Sequence, residues 1–291
     1  MLERSGIKSL PFRAQLADRI FECVVWGTAL VVASSFLWLV GDLLWHGLGQ
    51  IDISFLLEDV QRTGREGGIL PILVSTLLIL AVCLVASVPV GILTAILLSE
   101  FSRRSALLSR IVRASLDVLA GVPSIAFGLF GNAFFCIALG LDFSILSGGL
   151  TLACMVLPIF IRSVELGLRS VPNDYRHAGA ALGMSQSTML ARILIPAAAP
   201  GIAAGLMLGI GRALAETAAL MFTSGYGDRM PGSLFDSGRA LSLHIYDLTQ
   251  VTGGEPNAYA SAVVLVGLLL IINLSASWIV KHLVGGRVTT A

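Results

Sequence analysis

Charged side chains are scarce in this chain of 291 residues. Asp, Glu, Lys and Arg together make up 13% of it, whereas hydrophobic residues make up 56%. Soluble domains carry about 25% charged and about 45–50% apolar residues. With a mean hydropathy of +0.88, the composition argues against a soluble domain and indicates a protein solvated mainly by lipid. The net charge of +1 gives no reason to expect a nucleic-acid partner.

Several motifs of catalytic and ligand-binding proteins are also missing. Only two lysines are present, Lys8 and Lys281, and neither follows the glycines of a GxxxxGK[ST] phosphate loop. We therefore do not expect this chain to bind ATP through such a loop. It has no HExxH or GxSxG motif, its four cysteines show no CxxC spacing, and its four histidines are scattered. These absences predict no metal site, no bound cofactor and no enzymatic activity.

What the sequence does contain is long apolar runs. A membrane-spanning helix needs about 20 mainly apolar residues, and prolines inside such helices are tolerated. The first run has no clear small-x-small cleavage site, so we predict a retained helix rather than a signal peptide. The chain is therefore predicted to be an all-α membrane protein with a cytoplasmic segment 1–21, a six-helix domain 22–284 and a cytoplasmic tail 285–291. The six predicted spans are 22–45, 69–98, 111–139, 144–168, 197–224 and 258–283.

The distribution of lysine and arginine predicts the orientation in the membrane. Most of these residues lie at the two termini and in the segments that follow the second and fourth apolar runs. The two longer loops on the other side, 46–68 and 225–257, carry few of them and are rich in acidic residues. The positive-inside rule therefore places both termini and the 170–196 loop in the cytoplasm.

The 170–196 loop reads SVPNDYRHAGAALGMSQSTMLARILIP and is unusually polar for this chain. Pro172 suits the start of a helix, Gly183 suits a left-handed stop, and Ser185 can cap a second short helix. The pattern predicts two short helices joined at a glycine. Such an elbow either presents a rigid knob to a cytoplasmic partner or only seals the end of the bundle.

The spacing in this loop resembles the coupling loop of ABC importer permeases, the EAA motif. That pattern is Glu-Ala-Ala, three residues, Gly, nine residues, then Ile-x-Leu-Pro; here His177-Ala178-Gly179 precedes Gly183, and Ile193-Leu194-Ile195-Pro196 follows at the same distances. His177 replaces the family's Glu, which puts a salt bridge from that position in doubt, and Gly179 replaces the second Ala. The resemblance implies that the loop docks onto a separate ATPase chain. The implied coupling residues are Arg176, His177, Ala178, Gly179, Gly183, Met184 and Ser185.

Longer stretches are similar to the permease subunits of phosphate importers, in particular to the A-type of the two paralogous permeases. They are EGGILPILVSTLLILAVCLVASVPVGILTAILLSEF at 66–101, LDVLAGVPSIAFGLFG at 116–131, GRALAETAALMFTSG at 211–225, and SLHIYDLTQ with the helix that follows it. Where the family has Gly-Glu-Thr-Ala-Pro, this chain reads AETAA at 215–219. The missing proline predicts a less kinked helix.

Two charges fall inside the fifth apolar run, at Arg212 and Glu216. A charge within a span costs about 2.5–3.5 kcal/mol on insertion scales. At a spacing of four the two residues share a helix face and can pair, and an arginine fork also suits two oxygens of a tetrahedral oxyanion. The residues alone leave open a structural ion pair or a substrate site. The resemblance favours a pathway role in which Glu216 holds Arg212 in place.

A second candidate for the pathway is AGVPSIAFG at 120–128. Pro123 interrupts the helix, and the exposed N–H groups, together with the Ser124 hydroxyl, could receive an anion. A packing kink is the alternative. Thr217 lies near the same path, although a hydroxyl bonded to its own helix backbone is the alternative for Thr217 and Thr223.

Other features receive packing or solvation roles. Gly201, Gly205 and Gly209 form a ridge of small residues that predicts a close helix contact, and we assign it to the interface with a partner permease. Asp117 and Glu165 lie near predicted helix ends, where solvation at the membrane interface accounts for them.

Taken together, the resemblance implies a permease subunit of an ATP-driven phosphate importer with the type I ABC importer permease fold, in the bacterial inner membrane. It implies a heterodimer with a paralogous permease, two ABC ATPase chains that use ATP and Mg, and a periplasmic phosphate-binding protein. A permease for molybdate, sulfate or phosphonate is the alternative within the class. A passive anion channel would not need the elbow, and a membrane enzyme would need a polar catalytic cluster that the sequence lacks.

Overall fold

The helices follow the apolar runs, because a chain in lipid must pair its own backbone groups. The computed structural model describes residues 12–101 and 106–288, and the chain divides into two compact units between His46 and Gly47. The described part of the first unit lies in helix α1 (Phe12–Gly47), whose apolar part is long enough to cross a bilayer. The predicted domain boundaries at residues 21 and 284 fall inside helices, at α1 and at the last helix.

The described part of the second unit is mostly helical, with an irregular segment at 222–240 and one small hairpin, in which Val60 pairs with Gly67 in antiparallel register. Several helices are short, and two continue as π-helical turns, Asn132–Ala138 and Leu190–Leu194. The elements in chain order are α2 (Ile53–Leu57), β1 (Val60–Gln61), β2 (Glu66–Gly67), α3 (Leu70–Glu100), α4 (Ala106–Ala120), α5 (Ser124–Gly131), α6 (Ile145–Ser170), α7 (Asn173–Ala181), α8 (Gln186–Met189), α9 (Ile195–Ala197), α10 (Ala199–Leu214), α11 (Ala218–Met221), α12 (Leu241–Thr249) and α13 (Glu255–Val288).

Six candidate spans are present if bent helix pairs are counted. Within the described residues, α1, α3, α6 and α13 are each long and apolar enough to cross a membrane. Two bent pairs raise the number to six: Leu107–Ala120 with Ser124–Ala138, and Gln186–Ala197 with Ala199–Leu214. Pro89 and Pro158 lie inside unbroken helices, as expected.

The predicted span at 111–139 is bent, and the break lies at Pro123, where the sequence predicted an interruption. The two halves of the pair meet at an angle of 105°, so α4 and α5 do not form one rod. Pro123 is extended, with φ −60° and ψ 143°, and the residue before a proline is disfavoured in the α region. The chain therefore turns at residues 121–123.

The fifth predicted span, 197–224, ends early. Helix α10 stops at Leu214, and α11 starts at Ala218, so the missing proline at Ala219 does not keep this helix continuous. The Ser242 hydroxyl, from α12, donates to the Glu216 carbonyl at 2.6 Å. This bond satisfies a backbone acceptor at the break, so the interruption is stabilised by tertiary contact.

Helix α6 is the centre of the second unit, with α3 and α10 packed on it. Phe160, 1% exposed, lies between two glycines: a side chain at Gly91 of α3 would collide with one edge of its ring, and one at Gly205 of α10 would come within 3.1 Å of the other. Close packing of this kind depends on the absence of a Cβ. The three helices therefore interlock around one aromatic side chain.

The glycine ridge belongs to this packing and not to an interface with a partner chain. A Cβ on Gly201 would lie 2.5 Å from the Gly167 Cα, and one on Gly209 would lie 2.7 Å from a methyl of Val156. Ser163 adds a hydrogen bond to the Gly201 carbonyl at 3.0 Å. Our assignment of the ridge to a permease–permease contact was wrong, because α6 of the same chain covers it.

The end of α6 that leads into α7 is called the coupling end here, and the other is the opposite end. At the opposite end, residues 51–69 and 225–254 form an end cap around a small apolar core that includes Phe55, Ile72 and Leu241. The amide of Leu241 donates to the Thr76 hydroxyl at 2.9 Å. This bond attaches α12 to α3.

Inside the end cap, Arg239 and His244 are buried together. The Arg239 guanidinium donates to the Tyr226 carbonyl at 3.0 Å and contacts His244 Nδ1 at 3.5 Å, with Asp247 3.6 Å and Asp228 3.9 Å away. Burial, and secondarily the positive charge of Arg239, lower the pKa of His244 to about 4. The imidazole is thus neutral in the folded cap.

Replacing Gly205 by leucine is expected to destabilise the protein, because the new side chain would displace Phe160. Overpacking of a core costs about 1–3 kcal/mol, so the thermal unfolding midpoint in detergent should fall. Gly267→Leu is the matched control, since nothing lies within 4 Å of a Cβ at that helical glycine. Equal midpoints for the two variants would show that the α6–α10 contact does not constrain the core.

Acidification is expected to loosen the end cap through His244. The pKa of an unfolded histidine is about 6.5, so below that pH the opened state binds a proton that the closed cap excludes. The contribution of His244 to the free energy of opening the cap is complete above pH 6.5 and is lost as the pH falls towards 4. Between pH 7 and pH 5 the loss is about 2 kcal/mol. Hydrogen exchange of the α12 amides, corrected for intrinsic rates, measures this loss. His244→Gln should remove most of the pH dependence; an unchanged dependence in that variant would contradict the assignment.

Candidate functional site

The loop at the coupling end forms the predicted elbow. Helix α7 follows Pro172, Gly183 has φ +68°, and the Ser185 hydroxyl accepts the Thr188 amide at 3.3 Å to begin α8. A positive φ is readily adopted by glycine, so Gly183 sets the angle between the two helices. The helix, glycine and cap predictions are confirmed.

Arg176 is directed into the protein and not towards a partner. Its guanidinium binds both carboxylate oxygens of Glu100, at 2.6 and 3.1 Å, and donates to the carbonyls of Val171 and Leu168 at 3.0 and 3.1 Å. The Glu100 side chain is only 8% exposed. Bidentate pairs of this type are strong and geometrically specific, so Arg176 attaches α7 to the end of α3. The role of Arg176 in ATPase coupling stays a prediction, and the geometry indicates that Arg176 would act by positioning α7.

Gly179 also faces inward. It is buried, and a Cβ at this position would lie 2.9 Å from the Met189 sulfur. The glycine that replaces the motif's alanine therefore makes room for Met189 of α8. This departure from the EAA pattern has a local packing reason.

The outward face of the elbow is apolar with one histidine. Tyr175 is 50% and Leu182 79% exposed, and Ala178 lies between them on the same side of α7. His177 and Ser185 are exposed as well, whereas Met184 is half-buried. An exposed apolar stripe on a short rigid helix is a surface suited to a partner protein.

A buried carboxylate links the elbow region to α4. Glu165 is 4% exposed and pairs with Arg113 at 3.0 Å and Arg169 at 2.9 Å, with Arg162 3.8 Å away. The expectation that solvation explains this residue was wrong, because the three arginines, rather than solvent, surround it. A buried carboxylate requires such partners.

The same region holds the end of α3. Arg113 donates to the Leu98 carbonyl at 3.1 Å, Arg169 approaches it at 3.5 Å, and Arg176 binds Glu100 two residues later. Glu100, Arg113 and Arg169 were missed as functional candidates. The i, i+4 spacing of Glu165 and Arg169 was the one local signal; the other contacts join residues far apart in sequence.

The chain leaves helical structure at residues 121–123 and again at 215–217, and these two helix breaks bring α5 and α11 together. A Cβ on Gly128 of α5 would lie 2.9 Å from the Ala219 Cα of α11. One turn later, Asn132 donates to the Phe222 carbonyl at 2.8 Å, so the two segments run in the same direction. Ser124 is the first residue of α5, and Thr217 immediately precedes the first residue of α11.

The structure places the four predicted pathway residues near these breaks but does not pair the charges. Arg212 lies exposed in the last turn of α10, and Glu216 lies beyond the helix end, where its carboxylate accepts the Ala219 amide at 3.3 Å. Within the described residues, Arg212 forms no ion pair. The predicted Arg212–Glu216 pair was wrong because it assumed a continuous helix.

The hydroxyls at the breaks differ in their bonding. Thr223 donates to the Ala219 carbonyl at 2.8 Å, as predicted for a backbone-bonded hydroxyl. Among the residues described, no hydrogen bond involves the Ser124 or Thr217 hydroxyl. In the same part of the chain, no group of three His, Cys, Asp or Glu side chains could hold a metal ion. A ligand at the breaks would therefore meet the guanidinium of Arg212, the hydroxyls of Ser124 and Thr217, and the backbone N–H groups at the starts of α5 and α11.

Removal of the Arg176 side chain is expected to release α7 from α3. Hydrogen bonds to charged groups contribute about 1.5–3 kcal/mol each, so Arg176→Ala should raise hydrogen exchange of the α7 amides at least tenfold. Arg192→Ala is the control, because Arg192 is exposed in the same loop and has no hydrogen bond or ion pair to the described residues. Equal exchange in both variants would show that Glu100 does not hold the elbow.

Comparison with known proteins supports the architecture. Residues 87–287 match the family model described as "Binding-protein-dependent transport system inner membrane component". A solved structure entitled "Inward facing conformations of the MetNI methionine ABC transporter: CY5 native crystal form" aligns with a TM-score of 0.57 at 20% identity, over 73% of this chain and 96% of that chain. The predicted fold class, an all-α membrane protein with the type I ABC importer permease fold, is confirmed.

Curated relatives match over most of the chain. The Mycobacterium tuberculosis (strain CDC 1551 / Oshkosh) protein named "Phosphate transport system permease protein PstA 1" is 35% identical over 280 residues, 94% of this chain and 91% of the relative. The Bacillus subtilis (strain 168) "Probable ABC transporter permease protein YqgI" is 28% identical over 267 residues, 86% of this chain and 90% of the relative. The extent of the family match and the identity to the first relative lead to one conclusion: this chain belongs to the family of inner membrane components of binding-protein-dependent transport systems, the permease subunits of ABC importers.

Proposed function

We propose that this permease subunit forms the anion pathway of a phosphate importer, together with a partner permease. The observation that carries the proposal is the 35% identity to a phosphate transport permease over 94% of the chain. A transport role and not a catalytic one follows from the family. The proposal extends the substrate named for the relative to this chain.

The arrangement at the helix breaks supports an anion as substrate. Arg212 is exposed and has no carboxylate partner among the described residues, so its guanidinium donors are available to a ligand with several oxygens. Ser124 adds a hydroxyl at the start of α5, where backbone N–H groups lack helical partners. Thr217 contributes a second hydroxyl at the neighbouring break. These groups attract an anion without enclosing it, which a transport pathway needs in order to release its substrate.

The coupling end supports an ATPase partner. In our proposal the exposed stripe of Tyr175, Ala178 and Leu182, with His177 and Ser185 at its edges, docks onto a separate ATPase chain. Arg176, Gly179 and Gly183 shape the elbow from within, and half-buried Met184 completes the turn. ATP and Mg are then used by two ATPase chains, while this chain binds neither. The coupling end lies in the cytoplasm, together with both termini.

The end cap is proposed to meet the substrate-delivering protein on the periplasmic side. The family description names a binding-protein-dependent system, and the cap covers the end of the bundle farthest from the elbow. A paralogous permease is the proposed partner within the membrane. Molybdate, sulfate and phosphonate are the alternative substrates, because they share the oxyanion chemistry that Arg212 would recognise.

Uptake by the complete transporter in liposomes tests both the substrate and the pathway. We expect ATP-dependent accumulation of phosphate that a tenfold excess of sulfate, molybdate or phosphonate does not suppress. Arg212→Gln should lower uptake about tenfold or more, since a charge-assisted hydrogen bond is lost, while ATP hydrolysis persists. Arg19→Gln, at an exposed arginine of α1 outside the end cap and the helix breaks, is the control.

Two outcomes would contradict the proposal. Suppression of phosphate uptake by one of the other oxyanions at low concentration would identify that ion as the substrate. Full uptake by Arg212→Gln would remove Arg212 from the pathway.

A further inference from the structure

An apolar groove lies on one side of the second unit, between α4, α5 and α6. It has a volume of about 350 Å³ and is lined by apolar side chains, among them Leu116, Leu119, Phe130 and Leu157. Phe130 is 50% and Leu119 40% exposed, so the groove is open at the surface. It lies in the concave angle that the 105° bend creates between α4 and α5.

One end of this groove meets the arginine cluster at the coupling end. Leu116 and Ile161 line the groove, and Arg113 and Glu165 lie one helical turn further along the same two helices. Arg162, next to Ile161 in sequence, pairs with Asp117 across the groove end. The apolar groove and the arginine cluster are therefore continuous.

The cluster carries an excess of positive charge. Arg113, Arg162 and Arg169 face two carboxylates, those of Glu165 and Asp117, which leaves one net positive charge. The three arginine side chains are 30%, 38% and 48% exposed, and the buried Nε of Arg113 has no hydrogen-bond partner among the residues described. The Nε of Arg113 is enclosed by protein, and the exposed parts of Arg162 and Arg169 present the donors that a further anion can reach.

Helix α4 has the character of a helix at a membrane surface. Leu107, Ile111 and Val118 lie on one side of it and are 69%, 54% and 70% exposed, whereas Arg113 and Asp117 are directed to α6. Helices with an exposed apolar face and a charged opposite face lie in the interface between acyl chains and headgroups. The bend places α4 at a steep angle to α5, as such an orientation requires.

We propose that this groove binds an anionic phospholipid. The lipid phosphate contacts the exposed guanidinium groups of Arg162 and Arg169, and an acyl chain occupies the apolar groove up to Phe130. Basic sites between membrane helices are suited to anionic headgroups, and a lipid acyl chain in an apolar groove adds binding energy with each buried methylene. Since Arg113 and Arg169 also hold the Leu98 carbonyl, the lipid lies against the contacts that fix the end of α3.

Native mass spectrometry of the purified full-length chain tests the proposal. The probes are phosphatidylglycerol and phosphatidylcholine with identical acyl chains, added to protein stripped of lipid. We expect phosphatidylglycerol to bind about tenfold more tightly than phosphatidylcholine. Arg162→Gln should reduce this preference to about twofold, mainly by weakening phosphatidylglycerol, because the choline of phosphatidylcholine already offsets its phosphate charge. Glu165 still holds Arg113 and Arg169 in this variant. Leu157→Trp should weaken both lipids by filling the groove.

The controls separate the lipid site from its alternatives. Arg192→Gln, an exposed arginine outside the cluster, should behave as wild type, and circular dichroism confirms that each variant is folded. Equal binding of the two lipids by wild type would overturn the proposal. Displacement of phosphatidylglycerol by millimolar orthophosphate would overturn it in favour of an inorganic anion site. Loss of the lipid on assembly with the partner permease would overturn it in favour of a protein interface.

Discussion

The last turn of α3 is the point on which the coupling end depends. The final carbonyls of a helix have no intrahelical donors, and this end of the helix carries partial negative charge. Arg113 and Arg169 satisfy the Leu98 carbonyl, and Arg176 binds Glu100 with two hydrogen bonds. Because these arginines come from α4, α6 and α7, one helix end sets the positions of three other helices. Glu165 joins two of the arginines to each other, so the contacts form a single network rather than separate pairs.

The elbow shows which features a sequence can specify. Pro172, Gly183 and Ser185 act on the backbone within a few residues, and each does in the structure what its local chemistry predicts. The direction of Arg176 could not be predicted in the same way. Its partner Glu100 is 76 residues away in sequence. The spacing of a motif predicts where a residue lies on its own helix, but it does not predict which other helix packs against that residue. The same limitation applies to Glu165, whose burial depends on α4.

The pathway residues illustrate a second limitation. The Arg212–Glu216 pair followed from periodicity in an uninterrupted helix, but the Ser242 hydroxyl of α12 bonds at the break and Glu216 turns to the Ala219 amide instead. Periodicity likewise identified the glycine ridge as a close contact without identifying the helix that meets it. The apolar runs themselves, which depend only on composition and length, predicted the number of candidate spans.

The contacts around Phe160 also determine where this protein can change shape. Rings and backbones that meet at glycines leave no space for α3, α6 and α10 to slide past one another, and tightly packed interfaces do not deform continuously. These helices must move as one rigid body. The same kind of contact extends to α5 and α11: a Cβ on Gly131 of α5 would meet Thr151 of α6, and one on Gly148 of α6 would meet Leu220 of α11. A change of shape in this part of the second unit would therefore have to break these contacts, and the helix breaks at residues 121–123 and 215–217 alone would not allow it.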